Sequence, residues 1–373
     1  MTAFVLDTQI VISNILACNY FIYFLCQLLC MNTGETAQQT SCELVRELLP
    51  IDISLENLVC VQLWPGSEPK LQYYYTPDPV FAFYRGMAIK FLRDLSTEDD
   101  LSVSLKSGGT ALMFIEDNGT LPLKTLLQLR DIKVPLLSHA IRGREEAEVA
   151  ILIPDFHFIQ HEGFSSLENF FKSQHKSIKS KLPQVFWRGS TTGIHGSVVG
   201  TFSGRRNESV CYSLPRVVAC LVGKGTSWLD LGISQVVQYC ANALDAGTLQ
   251  QLNLLKAPVE ERKWSSYRGI LEIDGNVNAW GNKWRLMTGS VLFKVESDYF
   301  NSYVIKEKPY KHFIPVKADL SDLLHKTQIV TTNKSLEILK LQRIAKAATQ
   351  LGERFTYKSE IGRVAKELNL MWA

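Results

Sequence analysis

The stretch that decides the fold is Pro183-Gln-Val-Phe-Trp-Arg-Gly-Ser-Thr-Thr-Gly193. Its apolar run stops abruptly at Arg188, which predicts a strand that enters a tight polar turn. The turn supplies a guanidinium, three hydroxyls and glycines whose backbone can approach a ligand closely. We interpret it as an anion-binding turn, with an ordinary surface turn as the alternative. The candidate binding residues in it are Arg188, Gly189, Ser190, Thr191 and Thr192.

The segment around this turn carries charge of one sign. It has no Asp or Glu from Asn169 to Asn207. Its basic residues are Lys172, Lys176, Lys179, Lys181, Arg188, Arg205 and Arg206. A diphosphate needs fixed N–H donors in an uncompensated positive field, so the segment predicts a diphosphate site. The alternative is a solvated basic helix in which the first three lysines share one face.

The composition is that of an ordinary globular protein. The chain has 373 residues, of which 46% are hydrophobic and 21% charged, and this length suits two domains. A net charge of +3 is too small to support nucleic acid as a partner. The eight cysteines include no Cys-x-x-Cys pair, which predicts small buried side chains in a reduced, cytoplasmic chain.

The N-terminal segment, residues 1–40, contains an apolar stretch from Ile10 to Met31 that is nearly long enough to span a bilayer. Polar residues such as Asn14 and Gln27 interrupt it, and no Lys or Arg precedes Arg46. We expect a buried or membrane-surface helix rather than a spanning one. The expected location is therefore the cytoplasm, with peripheral membrane contact as the alternative and a lumenal, signal-anchored form less expected.

Strand-like and helix-like runs alternate along the chain, which predicts an α/β fold with parallel sheets. Strands are predicted at 58–61, 101–105, 111–115, 149–153, 185–187, 269–273, 291–295 and 312–316, and helices at 80–95, 123–130, 164–178, 335–351 and 359–370. We predict an N-terminal domain over 41–180, a C-terminal domain over 181–335 and closing helices over 336–373. In such sheets ligands sit at the carboxyl ends of strands, where Asp155, Arg188 and Asp274 fall.

Asp155 follows a predicted strand and faces the predicted cleft. A carboxylate in that position suits a general base, and a helix cap or turn is the alternative. His157 and His161 lie four residues apart, as in some metal sites, but the sequence offers no third ligand. We expect no metal site here.

Further candidates follow other predicted strands and turns. Arg216 follows Pro215 and is expected in the first turn of a helix aimed at the cleft. The turn Asp274-Gly275-Asn276 offers groups that hydrogen-bond hydroxyls of a sugar or nucleotide, and a plain turn is the alternative. Gly289-Ser290 permits close approach to a phosphate or ribose. Positive charge nearby comes from Lys283 and Arg285.

Four motifs occur in a fixed order along the chain. They are Phe186-Trp-Arg-Gly-Ser-Thr-Thr-Gly193, Tyr267-Arg-Gly-Ile-Leu-Glu-Ile-Asp-Gly-Asn276, Thr288-Gly-Ser-Val-Leu-Phe-Lys294 and Tyr310-Lys-His-Phe-Ile-Pro-Val-Lys-Ala-Asp-Leu-Ser-Asp-Leu323. This order resembles glycosyltransferase family 90, the CAP10-like group. That family includes capsule xylosyltransferases, lipopolysaccharide glucosyltransferases and protein O-glucosyltransferases. The resemblance covers roughly residues 149–324.

The resemblance implies a GT-B architecture, in which two Rossmann-like domains face a central cleft and the C-terminal domain binds the donor. It implies inverting, metal-independent transfer of glucose or xylose from UDP-glucose or UDP-xylose. The cysteine usage and the lack of a clear secretory signal favour a hydroxyl of a capsule, lipopolysaccharide or related glycan as the acceptor. No cofactor is implied beyond this co-substrate. A non-catalytic sugar-nucleotide or glycan-binding protein is the alternative, and a protein O-glucosyltransferase is a lesser one.

The resemblance also implies roles for single residues. Arg188 would contact the donor diphosphate, with Ser190 and Thr191 beside it, and Asp155 would be the catalytic base. The sequence departs from the family at Gly281, where many members carry an arginine that contacts the diphosphate. Lys283 or Arg285 is expected to supply the missing charge, although a lysine does not reproduce a bidentate guanidinium.

Overall fold

Two five-stranded sheets organise the chain. The computed structural model describes residues 42–49, 57–74, 79–97, 105–106, 108–115, 121–174, 176–193, 214–237 and 246–373. The predicted helix at 10–31 and most of the predicted strand at 101–105 lie outside these residues. Residues Cys42–Ala373 form one compact unit. None of the helices within the described ranges is both long and apolar enough to cross a membrane.

The first sheet has the strand order β2-β1-β3-β4-β6. Its strands are β1 (Leu58–Leu63), β2 (Lys70–Tyr73), β3 (Gly109–Phe114), β4 (Leu136–Ser138) and β6 (Ile151–Leu152). The helices of this part are α1 (Cys42–Leu48), α2 (Ala82–Thr97), α3 (Leu123–Asp131), α4 (Arg144–Val149), α5 (Phe156–Gln160) and α6 (Ser165–Ser173).

The first sheet is mixed rather than parallel. The β1 strand runs antiparallel to both β2 and β3, whereas β3, β4 and β6 run parallel to one another. The prediction of a parallel sheet is therefore wrong for β1 and β2, which a short turn joins into a hairpin. The predicted strand 149–153 shrinks to β6 because Val149 ends α4.

The second sheet is parallel throughout, with the order β12-β10-β9-β7-β8. Its strands are β7 (Leu182–Ser190), β8 (Leu229–Gln235), β9 (Tyr267–Glu272), β10 (Val291–Val295) and β12 (Ile314–Val316). The helices that accompany it are α7 (Pro215–Gly223), α8 (Ala246–Gln251), α9 (Glu261–Trp264), α10 (Asn282–Met287), α11 (Leu323–Thr327) and α12 (Ser335–Gly352). A mixed α/β fold with parallel strands is thus confirmed.

The β7 strand lies inside the second sheet, between β8 and β9. Val185, Phe186 and Trp187 are all at most 1% exposed, as expected for a strand that is covered on both faces. The strand does not turn at Arg188, as the sequence predicted. Arg188 and Gly189 still pair with β8, and the chain leaves the sheet only at Thr191.

Two further contacts connect the sheets. The short strands β5 (Ile141–Arg142) and β11 (Tyr299–Phe300) form an antiparallel ribbon. The last helix, α13 (Tyr357–Trp372), begins at a capping box formed by Thr356 and Ser359. Its buried face, which includes Ile361, Val364 and Leu368, belongs to the core of the first sheet.

A disulfide joins Cys42 of α1 to Cys60 of β1, with 5.8 Å between the Cα atoms. The prediction that the cysteines are reduced is therefore wrong for this pair. Both residues are buried, and α1 lies over the strand that carries Cys60, so the two thiols meet although 18 residues separate them. Cys220 is a buried free thiol, as predicted.

The disulfide generates a stability prediction. Closing a loop of this size contributes about 3 kcal/mol to the free energy of unfolding. Reductant should therefore lower the melting temperature of the native chain and leave a Cys42→Ala/Cys60→Ala variant unchanged. Non-reducing peptide mapping should find the two cysteines in one linked pair. Alkylation of both thiols without reductant, in the denatured chain, would contradict the assignment.

Candidate functional site

A cavity of about 460 Å³ opens at the carboxyl ends of β7 and β9. Its wall comes mostly from the second sheet and its loops, with α2 and α5 contributing from the first. The lining residues are Tyr84, His157, Arg188, Ser190, Thr192, Arg216, Ser234, Pro258, Val259, Glu261, Trp264, residues 275–281, Trp284 and Arg285. We call this space the arginine cavity, because three guanidiniums meet in its wall.

Arg188 is largely engaged with its own sheet. Its Nη1 donates hydrogen bonds to the carbonyls of Trp187 and Asp230, and its Nη2 donates to Asp230 Oδ1 at 2.6 Å. The guanidinium also lies 4.6 Å from the centre of the Phe186 ring. Only Nε is buried without a partner among the described residues. Arg188 therefore clamps β7 to β8, and Asp230 compensates its charge.

Arg216 joins the ends of two strands. It lies in the first turn of α7, as the sequence predicted. Its Nε donates to the Asp274 carbonyl at 2.8 Å, Nη2 to the Ile273 carbonyl at 3.3 Å, and Nη1 to the Thr192 hydroxyl. Gly275 makes this approach possible, because a Cβ there would lie 3.0 Å from Nη2.

The Arg285 guanidinium is held by aromatic rings. Its Cζ lies 5.4 Å from the centre of the Trp264 ring and 5.1 Å from that of Trp284. Its Nε and Nη1 are buried and find no hydrogen-bond partner among the described residues. The nearest carboxylate oxygen, Glu272 Oε2, is 3.7 Å from Nη1. Arg285 therefore lines the cavity with two buried guanidinium nitrogens that have no hydrogen-bond partner in the described structure.

Two of these arginines repel each other across the cavity. Burial, together with the positive charge of Arg285, lowers the pKa of Arg216 to about 10. Burial also lowers the pKa of Arg285. Both groups still carry their charge at neutral pH. An anion bound near them would relieve both the repulsion and the loss of solvation.

A buried ionic network holds Glu272, the carboxylate closest to Arg285. Lys294 Nζ lies 2.7 Å from Glu307 Oε2 and 3.2 Å from Glu272 Oε1. Asn282 donates to both carboxylates, at 2.6 and 2.7 Å. Burial raises the pKa of Glu307 to about 7, against the lowering effect of Lys294. The network thus fixes Glu272, which is the carboxylate closest to Arg285.

The loop after β9 forms the floor of the cavity. Asp274 Oδ1 accepts a hydrogen bond from the Ala279 N–H at 3.1 Å, and Asn276 Oδ1 accepts one from the Gly193 N–H at 3.3 Å. Gly275 and Asn276 line the cavity, whereas the Asp274 side chain lines a neighbouring one. Asn278 also lines the arginine cavity, and both polar atoms of its side chain are buried without a partner within the described residues.

Asp155 is fully buried and does not line the arginine cavity. Its Oδ1 caps α5 by accepting the Phe158 N–H at 2.9 Å, and its Oδ2 accepts a hydrogen bond from the Tyr303 hydroxyl. Burial raises its pKa to about 7. The geometry is that of the helix cap, the alternative considered from the sequence. The role of general base remains a prediction that this geometry does not support.

Lys283 points away from the cavity. Its side chain is fully buried, and Nζ lies 2.6 Å from Glu168 Oε2. Of the two residues expected to replace an arginine at Gly281, only Arg285 therefore reaches the cavity wall. Thr191 also faces elsewhere, because its hydroxyl exchanges hydrogen bonds with the backbone of Val237.

Gly289 and Ser290 lie at the amino end of β10, at the edge of the sheet opposite the cavity. The Ser290 hydroxyl donates to the Tyr267 carbonyl and accepts from Lys181 Nζ. Both residues therefore lie outside the candidate site. Gly189 is a strand residue. A Cβ at this position would lie 2.5 Å from the Trp187 ring, so the glycine leaves room for that ring.

The basic residues of segment 172–188 do not lie together in the structure. Lys172 pairs with Glu168 at 2.7 Å, and the helix ends at Ser173, so the predicted face shared with Lys176 and Lys179 is wrong. Lys181 is buried and donates to the Thr288 carbonyl. Arg205 and Arg206 lie outside the described residues. The positive field of the cavity comes instead from arginines that are distant in sequence.

The histidine pair shows no metal-binding arrangement. His157 lies in α5 and packs against Trp280 with 4.7 Å between ring centres, while His161 follows the end of that helix. The described part of the chain holds no cluster of three ligand side chains that suits a metal.

Sequence reasoning missed the aromatic wall of the cavity, which is formed by Trp264, Trp280 and Trp284. Tryptophans at these irregular spacings give no periodic signal. The run Asn276-x-Asn278-x-Trp280 directly after a strand was the available clue, because it places an amide and an indole at a carboxyl end.

The burial of Asp155 predicts a pH dependence of stability. Its pKa rises from the usual 3.8 to about 7 on folding. Between these values the folded chain binds more protons than the unfolded chain, so its free energy of unfolding falls as the pH rises. Asp155→Asn keeps the cap but removes this effect, which amounts to at most about 1.4 kcal/mol per pH unit. Chemical denaturation from pH 4 to 8 should give a flatter profile for the variant. Parallel profiles would contradict the account.

Comparison with known proteins points to one family. Residues 234–357 match the family described as glycosyl transferase family 90, and this region carries most of the cavity wall. The chain is 23% identical over 219 residues to human protein O-glucosyltransferase 3, which covers 49% of this chain and 40% of that protein. It is 39% identical over 62 residues to protein O-glucosyltransferase 2 of Danio rerio, covering 17% of this chain and 12% of the relative.

Two other similarities are to a viral protein and to a solved structure. An uncharacterized protein, 179R, of Invertebrate iridescent virus 6 is 27% identical over 175 residues, which is 40% of this chain and 14% of the viral protein. The crystal structure of a pneumococcal O-GlcNAc transferase with UDP and GlcNAc aligns with 66% of this chain and 54% of its own, at 13% identity. Its TM-score of 0.31 does not establish a shared fold.

The matched segments span 40% or less of the O-glucosyltransferases named above. The matched region nevertheless contains three of the four motifs that suggested the family from the sequence. Residues 234–357, about a third of the chain, match glycosyltransferase family 90, and this match confirms the resemblance over that region.

Proposed function

We propose that this protein is an inverting glycosyltransferase that takes its sugar from a nucleoside diphosphate donor, UDP-glucose or UDP-xylose, at the arginine cavity. One observation carries the proposal. Two desolvated guanidiniums, Arg216 and Arg285, meet at the carboxyl ends of a parallel sheet, and Nε and Nη1 of Arg285 have no hydrogen-bond partner among the described residues. Such a site suits a diphosphate, because its oxygens accept several charge-assisted hydrogen bonds at once.

The chemistry follows from the charge of the leaving group. An acceptor hydroxyl attacks the anomeric carbon from the face opposite UDP and gives up its proton to a base, the bond to the diphosphate oxygen breaks, and UDP leaves with the bonding electrons. The negative charge on the diphosphate grows in the transition state, and fixed guanidiniums stabilise it there. This role needs no metal ion, which is why we propose a metal-independent reaction.

The remaining cavity wall suits the nucleoside part of the donor. Its volume of about 460 Å³ lies within the range of small-molecule sites. Trp264 supplies an aromatic surface, and Asn278 supplies buried amide groups without partners in the described structure. We place the donor on the second sheet and the acceptor towards the first, as in a GT-B enzyme with domains at 41–180 and 181–335.

The acceptor is a hydroxyl of a glycan or of a protein. The sequence favoured a capsule or lipopolysaccharide glycan in the cytoplasm. The Cys42–Cys60 disulfide favours an oxidising compartment instead, and the relatives named protein O-glucosyltransferases make a protein hydroxyl the stronger competitor. Contact of segment 1–40 with a membrane surface remains a prediction.

A non-catalytic sugar-nucleotide or glycan-binding protein is the second candidate. The observation in its favour is that Asp155, the base suggested by the family resemblance, is sealed from the cavity by burial and by the Tyr303 hydroxyl. For Asp155 to act as the base, Tyr303 has to move away from it.

A donor screen tests the proposal. UDP-glucose, UDP-xylose and other UDP-sugars are each added to the purified chain, with chelator present, and thermal stabilisation and UDP release are measured. We expect UDP-glucose or UDP-xylose to raise the melting temperature and to be hydrolysed slowly. Stabilisation without any UDP release over hours would favour the binding protein. No response to any donor would rule out the donor site.

The same assay decides the role of Asp155. A general base contributes typically ~10²–10⁴-fold to the rate. From its buried position we expect Asp155→Asn to bind UDP normally and to keep UDP release within about tenfold of the native rate. A loss of more than about a hundredfold with unchanged UDP binding would make Asp155 the base after all.

A further inference from the structure

We propose that His157 is the general base that takes the proton from the acceptor hydroxyl. This inference rests on the proposed function, because it assigns a step that the proposed reaction needs. Asp155 is poorly placed for that step, since it is buried, bonded to the Tyr303 hydroxyl and absent from the cavity wall. A base that acts without rearrangement has to line the cavity itself.

Two of the lining residues in the described part of the chain carry a side chain that accepts a proton near neutral pH, His157 and Glu261. Guanidiniums are already cationic there, and phenols, amides and aliphatic hydroxyls are too weakly basic. Glu261 is an exposed carboxylate in the first turn of α9, where water solvates it. An imidazole ionises close to neutral pH, so His157 is the better matched base.

His157 lies where two cavities meet. A second cavity of about 390 Å³, which we call the histidine cavity, has His161 and Phe164 in its wall. Three residues line both this cavity and the arginine cavity, namely His157, Glu261 and Trp284. An acceptor that enters through the histidine cavity therefore reaches His157 at the point where the donor cavity begins.

The His157 ring is fixed by aromatic contacts that leave its nitrogens free. It packs edge-on against Trp280, with 4.7 Å between ring centres, and against Phe83 at 6.2 Å. No hydrogen bond from a described residue occupies either ring nitrogen. Trp280 precedes Gly281, where a Cβ would come within 3.0 Å of the Arg285 guanidinium. The candidate base and the proposed diphosphate site therefore share one wall.

The surroundings of His157 keep it neutral at neutral pH. Burial by neighbouring rings lowers its pKa, His161 lowers it as well, and the negative charge of Glu261 opposes both effects. The rings of Trp280 and Phe83, which pack on it, are uncharged. A neutral imidazole has a nitrogen lone pair with which to accept a proton.

The step balances as a single proton transfer. The hydroxyl proton passes to a ring nitrogen of His157 while the hydroxyl oxygen bonds to the anomeric carbon and UDP leaves with the electrons of the broken bond. The negative charge of Glu261 favours the imidazolium that forms. The imidazolium then returns its proton to solvent.

The test measures UDP release from UDP-glucose and from UDP-xylose, with water as the acceptor. We expect His157→Gln to release UDP about 10²- to 10⁴-fold more slowly than the native chain, with an unchanged affinity for UDP in calorimetric titration. His325→Gln is the matched control, because His325 is exposed on α11 and lines neither cavity. Its rate should equal the native rate.

The pH profile of the rate separates a base from a structural residue. The native rate should fall as the pH drops through the pKa of His157, which lies below the usual 6.5, because the imidazolium cannot accept a proton. His157→Gln should lack this acid limb. Glu261→Gln removes the charge that raises this pKa, so its acid limb should move to lower pH.

The outcomes separate the two proposals. If the native chain binds no UDP and releases none from either donor, the proposed function fails and the base assignment fails with it. If the native chain releases UDP and His157→Gln stays within about tenfold of its rate, the assignment is overturned while the function stands. Should His157→Gln not fold, the acid limb of Glu261→Gln decides, and an unmoved limb would overturn the assignment.

Discussion

The site depends on holding Arg216 and Arg285 close together in a place with little water. Two like charges in a desolvated cavity repel each other and lose hydration, so the surrounding structure has to compensate both. Carbonyls at the end of β9 compensate Arg216, and two indole rings together with the Glu272 carboxylate, 3.7 Å from Nη1, compensate Arg285. The difference between these surroundings is what leaves one guanidinium bound to the protein and the other available to a ligand.

The parallel sheet explains why these groups meet. The carboxyl ends of β7 and β9 lie at one edge, so Ser190, Asp274 and the loop that follows come together there. Glu272 and Lys294 lie within neighbouring strands, and their side chains form the ionic network that positions Glu272 beside Arg285. Several residues of the family motifs therefore position the residues of the site and do not line the cavity themselves. Removing one partner of such a buried network is costly, because it leaves an unpaired charge.

Much of the fold could be predicted from the sequence, because its elements have a clear periodicity. The strand Val291–Val295 and the helix Ser335–Gly352 lie where their apolar patterns predicted. The antiparallel hairpin of β1 and β2 did not follow from pattern alone, since a buried strand looks the same in either direction. The Cys42–Cys60 bond was likewise invisible, because it depends on proximity in space and not on spacing in the chain.

The candidate site was predicted less well than the fold, for reasons that are physical. A carboxylate after a strand has the same sequence pattern whether it faces a cleft or caps a helix, and Asp155 caps one. Charge that is dense in sequence need not be dense in space, because Lys172 and Lys181 find partners elsewhere. From the sequence, Gly281 could be described only as a position that lacks the family's positive charge, and Arg285 only as a positive charge nearby. Their steric relation, a guanidinium that occupies the place of an absent side chain, needed the structure.

The most direct test of this account is a crystal structure of the chain with UDP bound. The account predicts diphosphate oxygens within hydrogen-bond distance of the Arg285 guanidinium, with Arg216 beside them and Gly281 below. A diphosphate bound elsewhere, or an Arg285 side chain turned away from it into solvent, would contradict the account.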